Sequence, residues 1–176
     1  MKWQQLYSAA AANGNLTLST GGRLRLNALL AVAGNVTIES GTTLDLGGME
    51  ISLGGNWSCP GTLDITSGGE VALNGNGAQT VGACAFHDFD IEKPSGIATL
   101  AGNISVAVDM DILGGTLDAG AYTVNESLGG ASLTLGAGAV FRTAGSFPTA
   151  FASTTLNPAS TVEYYGSSSQ TIAAET

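Results

Sequence analysis

The run Gly14-Asn15-Leu16-Thr17-Leu18 returns twenty positions later as Gly34-Asn35-Val36-Thr37-Ile38. The match continues: Ser19-Thr20-Gly21 and Leu24-Arg25-Leu26 in the first copy answer to Glu39-Ser40-Gly41 and Leu44-Asp45-Leu46 in the second. A looser third copy runs from Gly55-Asn56-Trp57 through Gly61 to Leu63-Asp64-Ile65. Self-similarity at a fixed period of this size marks a chain built of stacked units, each burying its apolar side only against its neighbours.

Inside each copy, apolar and polar residues alternate in short triplets such as Leu16–Leu18, Leu24–Leu26, Val36–Ile38, Leu44–Leu46 and Leu63–Ile65. Such alternation turns the outer two residues inward and the middle one outward, and it is the mark of a strand. Gly, Ser, Thr and Asn separate the triplets. A sandwich shares this spacing but has no reason to repeat the same side chain at the same register. Long helical heptads are absent, and 26 glycines without a Gly-X-Y period exclude collagen. The expected fold is all-β: a parallel β-solenoid (β-helix) with about 20 residues per rung. Right-handed winding follows from the general preference of parallel crossovers. Dividing the length by the repeat gives roughly eight or nine rungs. At about 4.8 Å per rung, that is a rod on the order of 40 Å long.

Stacking fixes neighbours. Leu16, Val36 and Trp57 form one inward ladder, and Leu24, Leu44 and Leu63 a second. Outside, Thr17 lies beside Thr37, and Arg25 beside Asp45 with Asp64 one rung further. The Arg25–Asp45 pair supports this register by about 0.2–1 kcal/mol, and Asp45–Asp64 opposes it by a similar amount.

A longer match overlies the short one. Val71-Ala72-Leu73-Asn74-Gly75 through Gln79-Thr80-Val81 answers to Val162-Glu163-Tyr164-Tyr165-Gly166 through Gln170-Thr171-Ile172, ninety-one positions on. Gly34-Asn35-Val36 is echoed by Gly102-Asn103-Ile104, and Thr43-Leu44-Asp45 by Thr116-Leu117-Asp118. The spacing of Leu16, Leu18, Gly21 and Leu24 recurs in Leu133, Leu135, Gly138 and Phe141. The chain therefore divides into two modules of one solenoid, 14–83 and 98–174, joined by 84–97. Within the join a strand is expected to end in a turn at Pro94-Ser95-Gly96. The second module ends just after its Gln-Thr-Ile, and the parent protein is expected to continue.

The succession Gly115-Thr116-Leu117-Asp118, the two Val-x-x-x-Gly-x-x-x-Gln-Thr-Val/Ile runs, and Phe86-x-x-Phe89-x-Ile91-x-Lys93-Pro94-Ser95-Gly96 resemble repeats of large secreted bacterial surface proteins. These are β-solenoid adhesins of the filamentous-haemagglutinin and autotransporter-passenger kind. The resemblance covers most of the chain through motifs that serve structure. It implies an extracellular or bacterial cell-surface location and an adhesive or stalk-like role, and it supplies no catalytic residues. The partners it suggests are neighbouring repeats, end-to-end copies, and host or matrix glycans.

Charge and residue type narrow the chemistry. With 14 acidic residues, 5 basic and a net charge of −9, the chain is a poor match for a phosphate backbone. Lys2, Arg23, Arg25, Lys93 and Arg142 are too dispersed to form a basic groove. No run reaches the roughly 18–20 apolar residues of a membrane span. Gln4 and Gln5 interrupt the segment Met1–Ala12 where a signal peptide is apolar.

Cys59 and Cys84 are the two cysteines; a disulfide between rungs and a pair of buried thiols both fit. His87 lies beside Asp88 and Asp90 but lacks a nucleophile motif, and strict alternation sends sequence neighbours to opposite faces. It reads as a surface histidine. Asp109, Asp111 and Asp118 are oxygen ligands suited to calcium, yet six or more must converge. They read as solvated acids. Thr17 and Thr37 are too isolated for an ice-binding array. Trp57 belongs to the core, and adjacent Tyr164 and Tyr165 point opposite ways, so they offer a sugar one ring at most. No cofactor or metal is called for. A non-catalytic structural or adhesive module is expected, with a carbohydrate-binding or polysaccharide-degrading β-helix as the alternative.

Overall fold

The computed structural model describes residues 4–6, 10–19 and 21–170, with 4–6 and 10–12 as backbone only. Lys2, most of Met1–Ala12, and the tail of the second module beyond residue 170 lie outside the described residues.

All secondary structure among the described residues is β, wound as a parallel solenoid of about 7 turns with about 20 residues per rung. Strands follow one another roughly every seven residues over the first turns. They are β1 (Gln4–Leu6), β2 (Ala10–Ala12), β3 (Leu16–Leu18), β4 (Arg23–Leu26), β5 (Leu30–Val32), β6 (Val36–Ile38), β7 (Thr43–Asp45), β8 (Glu50–Leu53), β9 (Trp57–Ser58), β10 (Thr62–Asp64), β11 (Glu70–Leu73) and β12 (Gln79–Val81). Two long strands come next, β13 (Cys84–Leu100) and β14 (Ile104–Asp118). The last five are β15 (Val124–Glu126), β16 (Ser132–Leu135), β17 (Val140–Thr143), β18 (Ser153–Leu156) and β19 (Thr161–Tyr164).

Three columns result. The first stacks β1, β4, β7 and β10, and beyond it the N-terminal parts of β13 and β14 stack with β15. The second stacks β2, β5, β8 and β11, then the middle of β13 and of β14, then β16 and β18. The third stacks β3, β6, β9 and β12, then the C-terminal parts of β13 and β14, then β17 and β19.

The expected registers are met. Leu16, Val36 and Trp57 are stacked partners, as are Leu24, Leu44 and Leu63, and Thr17 lies beside Thr37. Arg25 pairs with Asp45 and Asp45 with Asp64 in the ladder. The Arg25 guanidinium is 3.1 Å from Asp45 Oδ2. The two aspartates avoid confrontation by turning to their own loops: Asp45 Oδ1 accepts from the Gly47 N–H, and Asp64 Oδ1 from the N–H and hydroxyl of Thr66. Those Thr66 bonds, rather than the arginines, are the main reason the Asp64 carboxyl is held below its ordinary pKa.

The second and third columns each stack eight strands, with about 7 turns between the first and the last, and the period along them is not constant. The step from Leu16 to Val36 is 20 residues, but that from Trp57 to Val81 is 24. The extra residues widen corners without adding strands.

The Gly-Asn echo has a mechanical cause. Asn15 Oδ1 accepts the backbone N–H of Asn35 at 2.8 Å, Asn35 Oδ1 that of Asn56 at 2.7 Å, and Asn56 Oδ1 that of Thr80 at 2.8 Å. Each side chain satisfies a corner donor one rung up, where no strand partner exists. Gly34 and Gly55, each before an asparagine, let the rungs close: a Cβ on Gly34 would lie 2.8 Å from the Gly14 carbonyl oxygen and closer still to Asn15 Oδ1.

Segment 84–97 belongs to a rung of its own: it pairs with β11 below and β14 above, and β13 continues through residues 98–100 onto β12. It passes through Pro94-Ser95-Gly96 within β13; Gly96 there has φ 84°, with one register shift at Ile91/Glu92 and another across the bend between Glu92 and Ile97. Its Phe86 and Phe89 stack at 4.3 Å, and Phe86 tilts against Trp57 at 5.8 Å, so the core is continuous across the join.

The ninety-one-residue match does not keep to one face. Val71 is in the second column and Val162 in the third; Thr43–Asp45 is in the first and Thr116–Asp118 in the third. The recurring unit is a strand with its turn, and it fits any side of the coil.

Candidate functional site

The candidate residues are scattered. Trp57 is 1% exposed and is core, its indole N–H buried without a hydrogen-bond partner. Tyr164 packs against the core and Tyr165 faces out. The Tyr165 hydroxyl donates to Asp118 Oδ1 at 2.8 Å, and Arg142 lies over its ring at 4.9 Å. Arg142 in turn joins Asp118 at 3.3 Å and Glu163 at 2.8 Å. The ring a sugar would stack on is thus covered on one face by a guanidinium.

Asp118 is spent in that network and on the Gly120 N–H, on a different column from Asp109 and Asp111. Among the described residues no three His, Cys, Asp or Glu side chains are grouped to hold a metal ion.

His87 and Asp88 do meet, with Nδ1 2.9 Å from Asp88 Oδ2. Strict alternation forbids this contact; the register shift between Phe86 and Asp88 brings the neighbours to one side. Asp90, the other carboxylate beside His87 in sequence, stands on the acidic face of the second column. There Glu50, Glu70, Asp88 and Asp109 stack one above another, flanked by Asp90 over Ala72 and under Asp111. Burial, followed by the charges of Glu70, Asp111, Glu92 and Asp88, raises the Asp90 carboxyl pKa to about 8. Glu70 is raised too, by burial first and then Glu50.

The Sγ atoms of Cys59 and Cys84 lie 2.6 Å apart on adjacent turns, each thiol half-buried. The neighbouring Cys59, then burial, push the Cys84 thiol above its ordinary pKa. The pair is placed for oxidation to a cross-rung disulfide.

The most constructed polar site is one the sequence reading missed. Lys93 is 2% exposed. Its ammonium donates to the Gly75 carbonyl at 2.6 Å, the Gly77 carbonyl at 2.8 Å and Gln79 Oε1 at 2.5 Å. Gln79, 1% exposed, also accepts the Gly75 N–H through Oε1 and donates through Nε2 to the carbonyls of Leu53 and Gly55 one rung below. Burial lowers the Lys93 pKa from its ordinary value. The signal was parity: Phe89, Ile91 and Lys93 share the inward side of one strand, both aromatic and aliphatic members being fully buried. The partners are mostly backbone carbonyls, which leave no residue signature.

A shallow groove of about 310 Å³ crosses the third column, bordered by Asn35, Thr37, Asn56, Ser58, Thr80 and Gly82. Its asparagines already carry the corner bonds described above. Among the described residues its lining holds hydroxyl and amide side chains and no His, Cys, carboxylate or cation.

Compared with family models, curated proteins and solved structures, the chain matches none.

Proposed function

We propose that the chain is a structural and adhesive repeat module of a long extracellular bacterial surface protein or fibre, and that it is non-catalytic. One observation carries this reading: the polar side chains that recur in the sequence are engaged in fastening one rung to the next. The asparagine ladder, the glutamine corner and the Arg25–Asp45 pair are all of this kind. The outward surface left over is hydroxylic and acidic, as a solvated stalk requires. Neighbouring repeats and end-to-end copies are its first partners, and host or matrix glycans its second.

The polar groove on the third column favours glycan binding as the second reading. A glycan array run beside a panel of polysaccharide substrates tests both. Binding without cleavage supports the adhesive module; cleavage of any polymer overturns the non-catalytic reading.

A further inference from the structure

We propose that the Gly-Asn corners at Asn15, Asn35, Asn56 and Asn103 are attachment sites for sugars linked to the side-chain amide nitrogen. Each opens an Asn-x-Ser/Thr run: Asn15-Leu16-Thr17, Asn35-Val36-Thr37, Asn56-Trp57-Ser58 and Asn103-Ile104-Ser105. That pattern marks asparagines to which a glycosyl group is transferred on the surface of exported chains. It also arises wherever polar residues alternate along a strand, so the geometry has to carry the assignment. A fifth run, Asn125-Glu126-Ser127, supplies the comparison.

The four corners share one arrangement. Asn15 Oδ1 accepts the N–H of Asn35, Asn35 Oδ1 that of Asn56, Asn56 Oδ1 that of Thr80, and Asn103 Oδ1 that of Thr123 at 3.0 Å. A backbone donor on one side of the amide identifies that atom as the oxygen and leaves the Nδ2 group on the other. Asn15, Asn56 and Asn103 are exposed and Asn35 is half-buried. The residue after the asparagine turns to the core, with Val36, Trp57 and Ile104 buried. The hydroxyl two positions on therefore returns to the asparagine's own side. On the third column Asn35 with Thr37 and Asn56 with Ser58 line one groove of about 310 Å³. A sugar on Nδ2 leaves Oδ1 an acceptor, so the corner bond survives the modification. Different atoms of one amide fasten the rung and carry the sugar.

Asn125 is exposed as well, but it is built differently. It lies in the middle of β15, its Nδ2 donates to Thr123 Oγ1 at 3.1 Å, and the residue after it is Glu126, whose Oε2 accepts the Ala131 N–H. Its amide nitrogen is engaged where those of the corners are turned outward. The reaction joins Nδ2 to the anomeric carbon of an activated sugar. Nδ2 gives up one proton, the bond from the anomeric carbon to its phosphate leaving group breaks, and the phosphate departs with the electron pair. The co-reactants are a nucleotide- or lipid-linked sugar phosphate and a transferase that reads Asn-x-Ser/Thr; nothing is oxidised or reduced. The inference goes beyond the adhesive reading and does not rest on it.

The test is glycopeptide mapping, by electron-transfer tandem mass spectrometry, of the protein recovered from the cells that naturally make it. Sugars are expected on Asn15, Asn35, Asn56 and Asn103, with Asn125 bare. Ser58→Ala, introduced in the same cells, is expected to abolish the sugar on Asn56 and leave those on Asn35 and Asn103 in place. Thr37→Val should do the same for Asn35 alone, and it decides the matter if the first variant fails to accumulate. Bare asparagines at all four corners, sugars confined to serine and threonine, or Asn125 modified as fully as the four would each overturn the proposal. So would a sugar that stays on Asn56 in Ser58→Ala or on Asn35 in Thr37→Val.

Discussion

At the Gly75–Gln79 corner the glutamine is 1% exposed and Lys93 covers it; at the Gly166–Gln170 corner the same glutamine bonds are made at a half-exposed edge. The bonds alike in number differ in consequence, because the cost of an unmade hydrogen bond depends on whether water can replace it. Inside the stack, Gln79 holds two rungs and orients an ammonium from a third. At the edge, Gln170 holds two. The motif is thus a fastener whose strength is set by the rung above it.

The largest test of this difference is substitution of the glutamines. Gln79→Ala is expected to cost about 3–4 kcal/mol in urea unfolding, since it strands buried carbonyls and removes an acceptor from a buried ammonium. Gln170→Ala is expected to cost about 1 kcal/mol or less. Equal losses would erase the distinction between the corners. Oxidation of Cys59 and Cys84 by glutathione disulfide comes next, the two thiols losing two protons and two electrons to the oxidant. Intact mass should fall by two hydrogens, and stability should rise by about 3 kcal/mol for a loop of this length. Since the cross-link spans the turns beneath Lys93, it should also blunt the effect of Gln79→Ala; an unchanged penalty would show the two fasteners to be uncoupled.

Glycine substitution sharpens the comparison further. Gly75→Ala and Gly166→Ala each push a Cβ against a carbonyl. Thermal unfolding should show a loss of about 2 kcal/mol at the buried corner and less at the edge, which can shift to relieve the overlap. The smallest effect belongs to the acidic face. The folded chain holds a proton on Asp90 up to about pH 8, whereas an unfolded aspartate releases it near pH 4. The folded state therefore binds more protons between these values, so stability is highest on the acid side and is lost as pH rises toward 8. The midpoint of thermal unfolding should be higher at pH 5 than at pH 8.5. Asp90→Asn should flatten that difference and stabilise the chain at the higher pH, because it removes a carboxylate whose charge is disfavoured by burial first and then by the neighbouring Glu70 and Asp111. A pH profile unchanged by Asp90→Asn would assign the effect to another carboxylate, with Glu70 the first alternative.

Legibility in the sequence followed the kind of partner each residue has. Leu16, Val36 and Trp57, Thr17 and Thr37, and Arg25 and Asp45 were placed correctly because their partners are the same positions one period away. His87 and Asp88 were assigned to opposite faces, and the bulge that joins them depends on how residues 84–100 fit between β11 and β14. Lys93 reads in the sequence only as one of five dispersed cations. Parity with Phe89 and Ile91 pointed inward, but the acceptors that make an inward ammonium tolerable are loop carbonyls, invisible in residue identities.

The sequence by itself determined that this chain stacks, and in what register neighbouring rungs meet. Alternation and a repeat near twenty residues dictate which side chains face in and which ones touch, since both are nearest-neighbour properties. Only the tertiary structure decided which side of the coil each strand occupies. A strand of three or four residues with a tight turn has no intrinsic face; it takes its place from the number of corner residues that precede it. That is why Val71 and Val162 lie on different columns.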